Sequence, residues 1–234
     1  MFKRKLSKIF IIISVMLHSF FSYAAQAQYS MEDILFSKKE NNRQVYGINV
    51  EVLDYFINKI GVHSANYPPS FKDKKERNAI ELELKKLILI MKEPAEESQN
   101  KNIGFLIRYG LVLSMAHNLD FPDSGKEASI IFEQALAIDK NNSKANYFYG
   151  EFLYSSAQGE KSIPYLKRAI NAGEKNAKWT LAVVSSGKKE TWPQAIKYFE
   201  EYANDFPNTK SAEQALKMAK GLRSGDVKIK VVHE

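Results

Sequence analysis

A period of about 34 residues runs through the second half of this chain and limits its fold more than any other feature. The stretch from Ser143 to Asn176 is 34 residues long and has Gly150 at its eighth position. The next stretch, Asn176 to Thr209, has Trp179 at position 4 and Phe199 at position 24. Small and bulky apolar residues at a fixed period of this length are typical of stacked helix pairs. We therefore predict an all-α fold, an α-solenoid of helix–turn–helix repeats.

A longer unit of the same kind precedes these two. It covers residues 103–142, 40 residues in all, and its second helix has Ala128, Phe132 and Ala135 at steps of 4 and 3. The extra residues fall in an internal turn at Asn118–Ser124. The pattern thus predicts three repeats, with bounds at 103–142, 143–176 and 176–209.

Segments without this period flank the repeats. Residues 49–93 have apolar residues at helical spacing on both sides of a Pro-Pro pair, which predicts an N-terminal helical hairpin that covers the first repeat. Its second helix is expected from Asp73 to Lys92, because Pro94 follows. Residues 210–223 predict a C-terminal capping helix. The tail, 224–234, alternates apolar and basic residues at Val227–Val231 and gives a weak strand signal.

The first 27 residues have the pattern of a secretory signal peptide. A basic start precedes the apolar run Ile9–Leu17, and the A-x-A cleavage motif ends at Ala27. We predict cleavage between Ala27 and Gln28, no stable membrane span afterwards, and a periplasmic or secreted location in a bacterium. An uncleaved anchor is the alternative, but His18 interrupts the apolar run well short of the roughly 20 residues of a spanning helix. Residues 28–48 form a polar and poorly periodic N-terminal segment, and the run Lys38–Arg43 within it indicates a solvated linker.

The charge of the chain gives little support for nucleic-acid binding. The net charge is +7, but four basic residues lie within the first eight positions, so the remainder carries only +3. The chain has no cysteine, so no disulfide stabilises the fold, and stability depends on packing alone. We expect a protein partner rather than a nucleic acid.

No catalytic or phosphate-binding motif is apparent in the sequence. We therefore predict a protein that is not an enzyme and that needs no cofactor or metal. The one candidate polar site is His117, with Asp120 and Asp123 in the same turn. A histidine in such a place more often caps a helix or bonds to a turn.

The repeats resemble the tetratricopeptide repeat (TPR) family. The residues that carry the resemblance are Gly150, Leu166, Ala169, Trp179, Ala195, Phe199 and Pro207. The chain departs from the family pattern at Ser162, where alanine is preferred, at Glu174, where a proline closes the unit, and at Val183, where glycine is usual. Residues 160–180 also resemble the related Sel1-like repeat, and both families build α-solenoids.

Resemblance to the TPR family implies a concave groove lined by the first helix of each unit. Carried over to this chain, the groove positions are Lys144, Tyr147, Glu151, Tyr154 and Ser155 in the second unit, and Gly104, Ile107, Leu111, Ser114 and Met115 in the first. Chaperone-binding members grip a carboxylate with Lys and Asn where this chain has Tyr147 and Glu151, so that clamp is not expected. Tyr147 and Tyr154 suit either partner contact or plain packing.

These observations favour an exported TPR-like scaffold that binds a protein partner through its groove, in bacterial envelope or secretion assembly. A structural or self-assembling envelope protein is the main alternative. An accessory of cell-wall chemistry that uses the turn at His117 is a third.

Overall fold

The computed structural model of the protein describes residues 29–41, 43–96 and 102–226. The predicted signal peptide, its cleavage point between Ala27 and Gln28, and the strand signal of the tail lie outside these residues. Within them, no helix is long and apolar enough to cross a lipid bilayer.

Nine α-helices make up most of the described part of the chain. They are α1 (Val50–Ser64), α2 (Lys74–Glu96), α3 (Ile103–Asn118), α4 (Ser124–Ile138), α5 (Ser143–Ser155), α6 (Gly159–Asn171), α7 (Ala177–Ser186), α8 (Trp192–Asp205) and α9 (Lys210–Ser224). The pairs α3–α4, α5–α6 and α7–α8 each pack closely, and α9 packs on α8. The prediction of an all-α solenoid is confirmed.

Glycine allows the two helices of a unit to pack closely. A Cβ atom built at Gly150 would lie 2.7 Å from Cδ2 of Leu166, which is fully buried on α6. One built at Gly110 on α3 would lie 2.7 Å from the ring of Phe132, buried on α4. Both distances are far shorter than van der Waals contact between carbons. The helices can therefore approach this closely only because these positions lack a side chain.

The first helices of the units start at different kinds of cap. Asn102 and Asn142 each accept a hydrogen bond, at 3.0 Å, from the backbone amide three residues on. At α7 the acceptor is Glu174, which receives bonds from the backbone amide and side chain of Asn176. Its other oxygen lies 2.7 Å from Nζ of Lys144 at the start of α5. A buried carboxylate thus stands where a proline closes the unit in the TPR pattern.

The N-terminal helices continue the stack. Each of α1 and α2 contacts α3 more extensively than the two contact one another. Arg108 on α3 binds Asp54 on α1 through two hydrogen bonds, of 2.6 and 2.8 Å, and Asn118 donates to the backbone carbonyl of Ser64. Gly61 of α1 faces α3, where a Cβ atom in its place would lie 3.2 Å from the methyl carbon of Met115. The glycine of α1 is thus used against α3 and not against α2. For this reason the α1–α2 pair lacks the glycine position of the 34-residue pattern.

Two expectations for the N-terminal region are wrong. Helix α2 does not end before Pro94 but continues to Glu96. A proline in the last turn removes a single backbone donor, and buried Ala95 adds apolar contact. The linker predicted at Lys38–Arg43 instead belongs to an antiparallel hairpin of β1 (Leu35–Glu40) and β2 (Arg43–Ile48), which follows a short 3₁₀ turn, Met31–Ile34. Most of the hairpin's side chains are exposed on both faces, so its sequence lacks the alternation of a half-buried strand.

We expect Gly150→Ala to lower the free energy of unfolding by about 1–2 kcal/mol, because overpacking outweighs the higher helix propensity of alanine. Urea denaturation followed by circular dichroism measures this. Gly159→Ala is the matched control, since its Cβ would meet Val184 at an ordinary 3.7 Å. Equal losses in the two variants would contradict the close-approach role of Gly150.

Candidate protein-binding surface

The first helices of the three units, α3, α5 and α7, lie next to one another, because α5 contacts both α3 and α7. The predicted groove residues all lie on α3 and α5. The structure brings those of α5 against α7, where some of them are covered. Their accessibility therefore divides them into residues that support the packing of α5 and residues that a partner can reach.

Tyr147 supports the surface and is not presented to a partner. Its side chain is 6% exposed and belongs to a cluster with Leu166, Ala177 and Leu181. Burial, with the nearby carboxyl of Glu151, raises the pKa of Tyr147 well above its ordinary value. The expectation that Tyr147 lines an open groove is wrong, because α7 packs over its ring.

The apolar positions on α3 are also largely covered. Ile107 is 8% exposed, and Leu111 is partly buried. Both belong to the cluster that joins the N-terminal helices to the first unit. Ile107 thus offers a partner almost no surface, which corrects its assignment as a groove contact, whereas Leu111 keeps part of its side chain accessible.

Glu151 lies at the junction of α5 and α7. Its side chain is partly buried, and its Oε1 accepts a hydrogen bond from the hydroxyl of Thr180 on α7. Burial raises the pKa of Glu151 to about 7, although the bond from Thr180 acts in the opposite direction. Near neutral pH this carboxyl is therefore divided between its protonated and ionised forms.

Three further residues of α5 keep accessible surface around Glu151. Tyr154 is partly buried against the cluster of the third unit, and burial raises its pKa to about 12, with the charge of Glu151 adding to the effect. Ser155 is exposed, and its hydroxyl donates to the carbonyl of Phe152. The ammonium of Lys144 is paired with Glu174, but its side chain is 45% exposed. We call Lys144, Glu151, Tyr154 and Ser155 the α5 surface.

Thr180 was not among the predicted site residues, although the signal for it was present. It occupies position 5 of the third unit, the same position that Tyr147 has in the second. Applying the groove positions to the third unit would have identified it. Its pairing with Glu151 depends on how α5 and α7 cross, which residue spacing alone does not define.

The turn at His117 is a packing feature of the structure. The imidazole lies edge-on to Phe152, with 5.8 Å between ring centroids. A Cβ at Gly125 would lie 2.8 Å from its Nδ1, so the ring rests directly on the start of α4. The described residues contain no group of three or more His, Asp or Glu side chains placed to hold a metal ion.

We expect Glu151 to make stability depend on pH. A carboxyl with a raised folded-state pKa binds its proton more tightly in the folded chain. Its contribution to the free energy of unfolding is therefore complete below its ordinary pKa of 4.5 and is lost as the pH rises to about 7. In the wild type, this loss lowers the free energy of unfolding by on the order of 3 kcal/mol across that pH range, and Glu151→Gln should abolish the decrease.

Urea denaturation between pH 4 and 8 measures that fall as the difference between wild type and variant. Glu93→Gln, at an exposed position of α2, is the control and should follow wild type. Parallel curves for wild type and Glu151→Gln would show that the carboxyl is not shielded from water.

Comparison with known proteins gives the fold. No protein-family model and no curated protein sequence matches the chain. Among solved structures, the chain is similar to the crystal structure of MamA, with 20% sequence identity, a TM-score of 0.50, and coverage of 67% of this chain and 90% of that one. A mutant of MamA gives 14% identity and a TM-score of 0.47, with coverage of 76% and 91%. MamA is a TPR-like helical repeat protein, and the first likeness supports a TPR-type fold for this chain.

Proposed function

We propose that this protein is an exported TPR-type scaffold that binds a protein partner through the α5 surface, in the assembly of a bacterial envelope or secretion system. The helical-repeat fold supports the general part of this proposal, because stacked helix pairs provide extended surfaces for protein binding. The finer parts rest on the residues of α5 and on the N-terminal sequence.

The carboxyl of Glu151 carries the argument for binding. One oxygen accepts from Thr180, and in the described part of the chain no donor reaches the other oxygen, Oε2. A partly buried carboxyl with one oxygen already bound inside the protein presents its second oxygen to an incoming N–H donor, and such a charge-assisted bond is stronger than a bond between neutral groups. The partner group we infer is a basic side chain or a backbone amide of an extended segment.

The neighbours of Glu151 suit a peptide contact. Tyr154 offers part of an aromatic ring that is already held by the third unit, so little conformational entropy is lost on binding. Ser155 is exposed one residue further on, and Lys144 lies one helical turn before Tyr147 at the other end of α5. The surface therefore combines a fixed aromatic group with a carboxyl, an ammonium and a hydroxyl.

Export is supported by the order of a basic start, an apolar run and the A-x-A motif in the first 27 residues. We expect the protein recovered from the periplasmic fraction of a bacterial host to begin at Gln28, as read by N-terminal sequencing. Ala27→Leu, which disrupts the small-residue motif, should leave the precursor unprocessed. Recovery of full-length wild-type protein in the membrane fraction would contradict cleavage.

A photo-crosslinking residue at Ser155 should capture the partner in intact cells, because this position is exposed beside Glu151 and Tyr154. The matched control is the same residue at Gln134, which is exposed on α4, the second helix of its unit. Mass spectrometry of the crosslinked products should find a protein at Ser155 that is absent at Gln134. Identical products from the two positions would rule out the α5 surface as the binding site. Tyr147 is unsuitable for this test, since replacing a buried side chain would disturb the fold itself.

A further inference from the structure

Within the described residues, the hairpin of β1 and β2 is anchored at its base and makes no extensive contact with the helices. Asn49 donates a backbone hydrogen bond of 2.7 Å to the carbonyl of Ile34, which is fully buried. Beyond that point Leu35 is 55% exposed, Phe36 42% and Tyr46 78%. A two-stranded hairpin is at most marginally stable in water without a third strand or a covering layer.

The register of the hairpin defines which backbone groups of β2 point outwards. Ile34 and Asn49 are hydrogen-bonded, and bonded and non-bonded pairs alternate along an antiparallel ladder. The residues of β2 with outward N–H and C=O groups are therefore Gln44, Tyr46 and Ile48. Within the described ranges no hydrogen bond from another element reaches these groups.

The two edges of the hairpin differ in charge. The β1 edge has Lys38, Lys39 and Glu40, charged residues of the kind that protect exposed edges against pairing with another strand. From Gln44 to Ile48 the β2 edge has no charged residue. It is thus an open and unprotected edge with three residues available for strand pairing.

We propose that β2 pairs antiparallel with β2 of a second copy of this chain, which gives a symmetric dimer with a four-stranded sheet. Matching the three outward residues places Tyr46 opposite its own counterpart on the twofold axis and Gln44 opposite Ile48. Arg43 then lies opposite Asn49, so no like charges face each other across the new pair. The axis pair joins two aromatic rings, a favourable cross-strand contact.

The second copy has room at the base of the hairpin. A cleft of about 250 Å³ lies beyond the end of β2, lined by Ile48, Val50, Pro94, Asn102, Phe105 and Arg108. In the proposed register the turn of the second hairpin extends past Ile48 towards this cleft. Val50, which is 46% exposed, would then be covered. The dimer leaves the α5 surface free and does not depend on the proposed function.

Proline substitution tests the edge. Tyr46→Pro removes the outward N–H of β2 but no bond of the ladder with β1, since Ser37 and Tyr46 form a non-bonded pair. Because both symmetric bonds at the axis are lost, we expect the dissociation constant measured by analytical ultracentrifugation to rise by about 30-fold or more. Ser37→Pro is the matched control, because its N–H points out of the β1 edge, and it should leave the dimer intact. Equal thermal midpoints for the two variants, measured at a concentration below the dissociation constant of the dimer, exclude unfolding as the cause.

Disulfide trapping tests the register. The chain has no cysteine, so Tyr46→Cys introduces a single thiol at the axis, where paired Cα atoms about 5.5 Å apart suit a disulfide. Mild oxidation should convert Tyr46→Cys to a covalent dimer, whereas Ser37→Cys stays monomeric on a denaturing gel. A wild-type protein that is monomeric at all concentrations, or a dimer that survives Tyr46→Pro, would overturn the proposal. A monomer that binds an extended peptide on β2 would do so as well.

Discussion

The close contact between a helical glycine and a large side chain of the next helix is the interaction on which the rest of the structure depends. Gly150 against Leu166 and Gly110 against Phe132 hold the helices of their units so near that no side chain fits between them. That spacing places each unit's outer face where the next unit can pack. Each large residue then contributes to one of the buried apolar clusters that follow one another along the stack.

The sequence predicts helix pairing well where the contact joins residues that are close together in the chain. Gly150 and Leu166 are 16 positions apart, within one unit, so a small and a large residue at fixed separation predict the pairing. The third unit has Val183 instead of glycine and is still recognisable, because Trp179 packs edge-on against Phe199 on the partner helix. Residue type and spacing together therefore define the helix pairs.

The candidate site was less predictable because it depends on how separate units cross. Tyr147 and Glu151 follow the TPR groove positions, but their exposure depends on α7, which covers one and forms a hydrogen bond with the other. The hairpin of β1 and β2 was missed for another reason. Most of its side chains are exposed on both faces, so apolar and polar residues do not alternate along its strands. Ile34, just before the hairpin, is fully buried.

The carboxylate of Glu174 limits how this array can change in length. A proline at the end of a unit acts only on its own backbone, so TPR units that end in this way can be duplicated or exchanged with little effect on neighbours. Glu174 instead binds Lys144 at the start of one unit and Asn176 at the start of the next. Inserting or deleting a unit directly after Glu174 would keep its ion pair with Lys144 but remove the bonds that Asn176 donates to its other oxygen, and a buried acceptor would lose its partners. The end of the second unit and the start of the third are therefore expected to stay together when such an array changes in length.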